Sequence, residues 1–277
     1  MTSSSYNNRK VYGFFVLLTI LGFLIVYHQF LTAKDEIENV LKSSDFVTTE
    51  GLKIKRIVCI SDTHGEHEKL KLPFGDILIH LGDFSSKTKG EGGIEEMSSK
   101  DFITWFAKQP HKHKILVLGT NESNSKNLKE PSKEVLENIK RASSTGVDIT
   151  LLQDEQKIIN GIKFYGSSWQ GQWKGKGFYQ EKENLEKLWK KIPKDTQVLL
   201  THTPSFGPLK DEILLKQVYS VQPMLHLFGQ IHSGKNGVLY TSYLAGTNAP
   251  ETVFIKVSIC DENNKIINKP IVTDVHN

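Results

Sequence analysis

Residues 55–65, KRIVCISDTHG, run from two cations through an apolar segment, Ile57 to Ile60, into a polar tip that carries Asp62 and His64. A β-rich apolar run closed by a turn signal reads as a buried strand. A carboxylate and an imidazole at the mouth of such a strand pair a hard with a borderline donor, which suits a divalent metal. The same pattern returns at residues 76–83, DILIHLGD, where a second apolar run ends in Gly82 and a second carboxylate, Asp83.

The alternation continues along the chain. Strands are expected over Ile54–Ser61, Asp76–Leu81, His113–Leu118, Gln156–Ile159, Ile162–Tyr165, Gln197–Leu200, Met224–Phe228, Val238–Leu244 and Thr252–Ile259. Asn160-Gly161 is the pair that favours a type I′ hairpin turn. Helical spacing recurs at Phe102, Trp105 and Phe106, which Ser98-x-x-Asp101 can cap, and at Val135, Leu136 and Ile139. It recurs again at Leu185, Leu188, Trp189 and Ile192, and a further helix is expected over Asp211–Val221, started by Asp211. The polar, Gly-rich stretch Ser85–Glu96 reads as a flexible loop. Early strands alternate with helices and later strands cluster, a mixed α/β order.

Polar groups collect just after five of these strands: Asp62 and His64, Asp83, Thr120 and Asn121, His202, then Gln230 and His232. Ligands of open α/β sheets gather outside strand ends, and five repeats of one position point to a shared site. Two Asp and three His make an N/O donor set that suits Mn, Fe, Zn or Ni, whereas Ca favours oxygen alone. A carboxylate such as Asp83 can bridge two metals roughly 3.5–4 Å apart. His80 and His226 lie inside apolar strands and read as packed core residues. His111 and His113 flank a turn and read as solvated. Trp169 and Trp173 either wall a pocket or pack beneath a loop. Cys59 and Cys260 sit in apolar runs and read as small buried hydrophobes.

Charge excludes one class of partner. The 277 residues carry 35 Lys+Arg and 31 Asp+Glu, a net +4 with no basic block, too mild to expect a nucleic-acid duplex. Residues 11–30, VYGFFVLLTILGFLIVYHQF, hold no Asp, Glu, Lys or Arg. As a helix at ~1.5 Å per residue they would reach roughly 30 Å, the hydrocarbon thickness of a bilayer. The expected organisation is an N-terminal tail over 1–10, a transmembrane anchor over 11–30, a linker over 31–52 and a globular domain over 53–277. Read as a retained anchor rather than a cleaved signal peptide, for which the run is long and Leu31-Thr32-Ala33 a poor cleavage edge, residues 11–30 make the chain a single-pass membrane protein, with the side of the membrane and the oligomeric state left open.

Five blocks, Asp62-x-His64, Gly82-Asp83, Gly119-x-x-Glu122, Thr201-His202 and Gly229-x-x-His232, resemble those of the calcineurin-like metallophosphoesterases, over roughly Lys53 to the C-terminus. Phe164–Gln170, Thr201–Pro204, Leu227–His232 and the ending Ser258–Cys260 with Lys269–Val272 resemble the metallophosphoesterase-domain-containing subfamily of brain-expressed phosphodiesterases. The resemblance implies a four-layer fold, two packed β-sheets flanked by helices. It implies one divalent metal, Mn, Fe or Zn, on Asp62, His64, Asp83 and His232. Asp83, Thr120, His202 and Gln230 stand where the family holds a second metal. Two of those four depart from the family pattern, because Thr120 replaces an Asn and Gln230 a His. Asn121 stands in place of the family's catalytic His, and a carboxamide donates a hydrogen bond but cannot deliver a proton. A one-residue slip of the loop would instead bring the Asn121 carboxamide to the missing ligand place. The implied activity is hydrolysis of a phosphate-ester small molecule, a phosphodiester or nucleotide, by metal-bound hydroxide, with Asn121 and His202 orienting the phosphoryl oxygens. The degenerate second site implies weak activity, and the alternative is a non-catalytic relative acting as a binding module.

Overall fold

Two six-stranded sheets carry the fold in the computed structural model, which describes residues 46–47, 53–89, 95–243 and 250–276, all within the unit Asp45–Asn277. Elements are numbered in chain order. The first sheet runs β1 (Phe46–Val47), β2 (Lys53–Ile60), β3 (Ile77–His80), β6 (His113–Leu116), β7 (Ile149–Leu151), and β14 (Ile271–His276) also pairs β2. Its β2, β3, β6 and β7 are parallel, while β1 and β14 join antiparallel. The second sheet runs β12 (Gly237–Tyr243), β13 (Pro250–Lys256), β11 (Leu225–Phe228), β10 (Val198–Thr201), β9 (Ile162–Ser167), β8 (Glu155–Ile159). Its middle four strands are parallel and its two edge strands antiparallel.

Alternation within the strands explains the layers. Ile57 and Cys59 of β2, Ile77 and Ile79 of β3 and Ile115 of β6 meet Phe164, Leu200, Leu227 and Ile255 of the second sheet in one buried cluster between the sheets. The opposite faces are covered by helices. Val58, Leu78 and Leu116 pack under α1 (Lys100–Lys108) and α2 (Lys133–Ser143), through Phe102, Phe106, Val135 and Ile139. Tyr165, Leu199 and Phe228 pack under α3 (Lys182–Trp189) and α4 (Glu212–Val221), through Leu185, Trp189, Leu214 and Val218. Strands buried on both faces read as continuous apolar runs rather than alternating ones, as IVCI and ILI do. Ser61 pairs with Ser258 in a parallel bridge, and Ile259 N donates to the Ser61 carbonyl at 2.9 Å, which ties the end of β2 to the chain leaving β13.

Several expectations are corrected. Ser85–Glu96 is not wholly a loop: β4 (Ser86–Lys89) and β5 (Glu95–Ser98) form an antiparallel ribbon, because backbone pairing is open to polar and apolar residues alike. The cap of α1 is Ser99, with no side-chain cap bond, and Glu134 of α2 accepts the Ser99 N–H instead. His111 is buried, not solvated, with Nε2 against the Pro73 carbonyl. The expectation of a transmembrane helix, of membrane anchoring and of single-pass membrane localisation is corrected as well. Among the described residues no helix is long and apolar enough to cross a membrane. An apolar run sets only the length available, and a span also needs a helix. The longest described, α2, has 11 residues, about 17 Å against the roughly 30 Å of a bilayer core. Residues 11–30 lie outside the described residues.

Candidate metal centre

Five parallel strands of the two sheets end at one place. Asp62 follows β2, Asp83 follows β3, and Thr120 and Asn121 follow β6. From the second sheet His202 follows β10, and Gln230 and His232 follow β11. Asp62, His64, Asp83 and Gln230 have φ of 54°, 43°, 54° and 65°. Such left-handed conformations cost of order 1–3 kcal/mol each outside glycine and persist only where the surroundings impose them. Here the two Asp loops impose them on each other: Asp62 N donates to the Gly82 carbonyl at 2.9 Å and His64 N to the Asp83 carbonyl at 3.1 Å. Gly82 sits at φ 93° against the backbone of Gly119, where a Cβ would overlap it, so only glycine lets the loops after β3 and β6 close together.

Beneath them lies Glu122, fully buried. Its Oε1 accepts from Phe84 N at 3.0 Å and Ser85 N at 2.9 Å, and its Oε2 from Asp83 N at 2.8 Å and Gly119 N at 2.9 Å. Burial and the neighbouring Asp83 push its pKa up to about 7, against the backbone donors that favour the ionised form. Sequence reasoning quoted Glu122 within a block and gave it no role, although a lone acid three residues after a strand-ending Gly was the available signal.

Two donor sets have ligand atoms within 4.8 Å of one another: Asp62, His64 and His232, and Asp62, Asp83 and His202. Asp62, not Asp83, is common to both. His232 Nε2 lies 3.2 Å from Asp62 Oδ1 and 3.3 Å from His64 Nε2. His202 Nδ1 donates to the Leu81 carbonyl at 2.7 Å, which leaves Nε2 facing Asp83 Oδ2 at 3.5 Å and Asp62 Oδ1 at 4.0 Å, without a hydrogen bond and 1% exposed. Burial opposes the His202 imidazolium, but Asp83 and Asp62 outweigh it and push the pKa up to about 10. Burial opposes ionisation of Asp62, yet its bond to His232 and the charge of His202 bring its pKa below the usual carboxylate range. Asp83 moves the same way, its burial outweighed by His202. Burial lowers the pKa of His64, while the bond to Asp62 raises that of His232. A buried, anchored imidazole whose second nitrogen faces two carboxylates with no hydrogen bond to either is an arrangement a divalent cation completes, so Asp62, Asp83 and His202 fit the ion the resemblance implies.

The second set of positions differs. The Thr120 hydroxyl donates to both oxygens of Asp83, at 3.2 and 3.1 Å, and Asn121 N donates to Asp83 Oδ1 at 2.9 Å. The Asn121 carboxamide points elsewhere, with Nδ2 3.4 Å from His64 Nδ1, so the loop has not slipped. Gln230 Oε1 already accepts from the Thr203 hydroxyl at 2.9 Å, and Gln230 N donates to Asp62 Oδ2 at 2.9 Å. His80 and His226 lie under the site as neutral core residues. Gly82 N donates to His80 Nδ1, and Ser205 donates to His226 Nδ1, whose Nε2 bonds Thr201.

Residues 55–233 match the calcineurin-like phosphoesterase family. A UPF0046 protein of Caenorhabditis elegans is 34% identical over 248 residues, covering 85% of this chain and 80% of its own. Human metallophosphoesterase domain-containing protein 1 is 33% identical over 245 residues, covering 79% of this chain and 71% of its own. A structure described as a novel archaeal phosphodiesterase overlies 80% of this chain and 99% of its own at a TM-score of 0.33 and 14% identity. On the family match and the two sequence relatives, the chain belongs to the calcineurin-like phosphoesterase family.

Proposed function

We propose that the protein is a phosphoesterase built around one divalent cation, held by Asp62, His64, Asp83 and His232 with His202 as a further donor, and that its activity is weak. The observation that supports this reading most is the orphaned His202 Nε2 facing Asp83 and Asp62. When bound, such an ion supplies Lewis acidity toward a phosphoryl oxygen and lowers the pKa of water. The chain's own residues do the rest. Asp62 and Asp83 hold negative charge in place before substrate arrives, through backbone donors on each. The Leu81 carbonyl fixes the tautomer of His202. Asn121 donates a hydrogen bond to an ester oxygen, and supplies no proton. Missing acid catalysis of this kind lowers rates ~10²–10⁴-fold, so among the phosphodiesters or nucleotides that the resemblance implies, those with good leaving groups are turned over best. Thr120 places its proton where a second cation would meet Asp83, and Gln230 spends its carboxamide oxygen on Thr203.

That last pair of contacts also favours a second reading, a binding module that keeps the fold and the cation without turnover. Hydrolysis of bis(p-nitrophenyl) phosphate by the Mn-loaded full chain separates the two. The enzyme reading expects slow, Mn-dependent release that Asp83→Asn abolishes. It also expects a gain of at least ~100-fold in the triple variant Thr120→Asn, Asn121→His, Gln230→His, by restored acid catalysis and a second ligand set. No release by the wild type and none by the triple variant would leave only the binding module.

A further inference from the structure

Two separate clefts reach the centre, one lined by His232 and Asp83 and the other by His64. On the His232 side is a cavity of about 330 Å³ that reaches Asp83 and Asn121 and is walled by Trp173, Lys176 and Leu209. On the His64 side is a cavity of about 560 Å³ lined by Lys69, Asn263, Asn264 and Lys265. Both fall in the ~300–1,000 Å³ range of ligand pockets. Glu262 lines the first and Asn263 the second, so the segment after Asp261 is the partition between them. A monoester needs one cleft beside the metal. A diester has a substituent on either side of the phosphorus and needs two.

Both walls are built before any ligand arrives. The partition is a closed turn: Asp261 Oδ1 accepts from Asn263 N and Lys265 N, each at 2.9 Å, and Asp261 N donates to the Lys265 carbonyl at 2.9 Å. The Trp173 wall is held by Gln170, which is fully buried with its whole carboxamide engaged. Gln170 Nε2 donates to the carbonyls of Trp173 at 3.0 Å and Gly177 at 3.2 Å, and Oε1 accepts from Gln172 N at 2.9 Å and Trp173 N at 2.7 Å. Gly177 presses on the Thr120 carbonyl, where a Cβ would overlap it. This loop is therefore fixed to the centre rather than draped over it.

The two clefts differ in chemistry. Trp173 beside Lys176 offers an aromatic face and a cation, which suits a planar aromatic group carrying partial negative charge. Lys69, Lys265 and two carboxamides offer donors to hydroxyl or anionic groups, and Glu66 is engaged with Lys69. We propose that the substrate is a phosphodiester whose two substituents are held in separate clefts, an aromatic one on Trp173 and Lys176 and a polar one on Lys69, Asn263, Asn264 and Lys265. This rests on the phosphoesterase reading of the centre.

The test is calorimetric binding of two probes to the Mn-loaded full chain: the phosphorothioate analogue of adenylyl-adenosine, which fills both clefts and resists cleavage, and AMP, which has one nucleoside. The wild type is expected to bind the two-nucleoside probe more tightly. Trp173→Ala should weaken both probes about tenfold, since stacking on an aromatic side chain is worth 5- to 150-fold, and so hold their ratio. The double variant Lys69→Ala, Lys265→Ala, at two exposed positions, should cut the ratio about tenfold. A ratio of one in the wild type, or a ratio unmoved in the double variant, overturns the two-cleft assignment. Hydrolysis of bis(p-nitrophenyl) phosphate is scored separately. Arm-dependent binding without release from bis(p-nitrophenyl) phosphate, whose leaving group needs no acid, supports the clefts and sinks the phosphoesterase reading, whereas release with an unmoved ratio does the reverse.

Discussion

At Glu122 one carboxylate accepts four backbone N–H groups, two on each oxygen, and those donors belong to both loops that carry Asp83 and Thr120. A Gln there has one oxygen, so two buried donors would face an NH₂ group. Each unsatisfied buried donor costs ~1–3 kcal/mol. Glu122→Gln should therefore lower stability by at least ~2 kcal/mol in urea unfolding and weaken Mn binding, although Glu122 ligates nothing. His226 makes a separate prediction about pH. Burial depresses its pKa to about 3, while an unfolded His titrates near ~6.5. Below that value the unfolded chain takes up a proton that the folded chain refuses. This histidine's contribution is thus complete above pH ~6.5 and is lost as pH falls toward 3, at ~1.4 kcal/mol per pH unit. His226→Gln should reduce the proton uptake on unfolding between pH 6 and 4 by about one, read from the pH dependence of the unfolding free energy. Its neutral role was legible from the apolar strand around it. The burial of His111 was not, because it depends on Pro73 and on Gly75, where a Cβ would approach the His111 ring.

Among the elements, α4 has a cap that can be measured directly. Asp211 Oδ1 accepts from Ile213 N at 2.9 Å and Leu214 N at 3.0 Å. Asp211→Ala should cost ~1 kcal/mol and Asp211→Asn much less, as shifts in thermal midpoint. Asp211 was legible as a helix start because capping is local chemistry. So was the β8–β9 hairpin, whose Asn160 and Gly161 sit at φ 53° and 84°, as a type I′ turn requires. The strands β2, β3, β10 and β11 were legible because burial on both faces leaves unbroken apolar runs. β14 and β7 were not. β14 buries Val275 deeply but leaves Val272 exposed and carries Thr273 and Asp274 between them, and β7 has three half-buried residues. Their strand character comes from partners distant in sequence, β2 and β6. The hairpin of β4 and β5 failed the same way, since pairing there overrides a loop-like composition.

For the whole molecule, the convergence of strand ends from two sheets was the part of the site the sequence could disclose, because each end is a local signal. How those ends meet was not disclosed. That Asp62 is shared by both donor sets, that Thr120 occupies both oxygens of Asp83, and that Gln170 braces a wall of the cleft all depend on packing between loops far apart in the chain. A cation bound only by the folded state must stabilise it by mass action, about 2.7 kcal/mol at a hundredfold excess over Kd. Mn should therefore raise the thermal midpoint of the metal-stripped chain, and chelation should reverse the gain. The most direct measurement is the calorimetric titration of metal-stripped full chain with Mn. A centre held by Asp62, His64, Asp83 and His232 with His202 as a further donor, and with Thr120 and Gln230 committed elsewhere, predicts one ion per chain, with binding lost in Asp62→Asn. No ion bound, or two ions per wild-type chain, would contradict it.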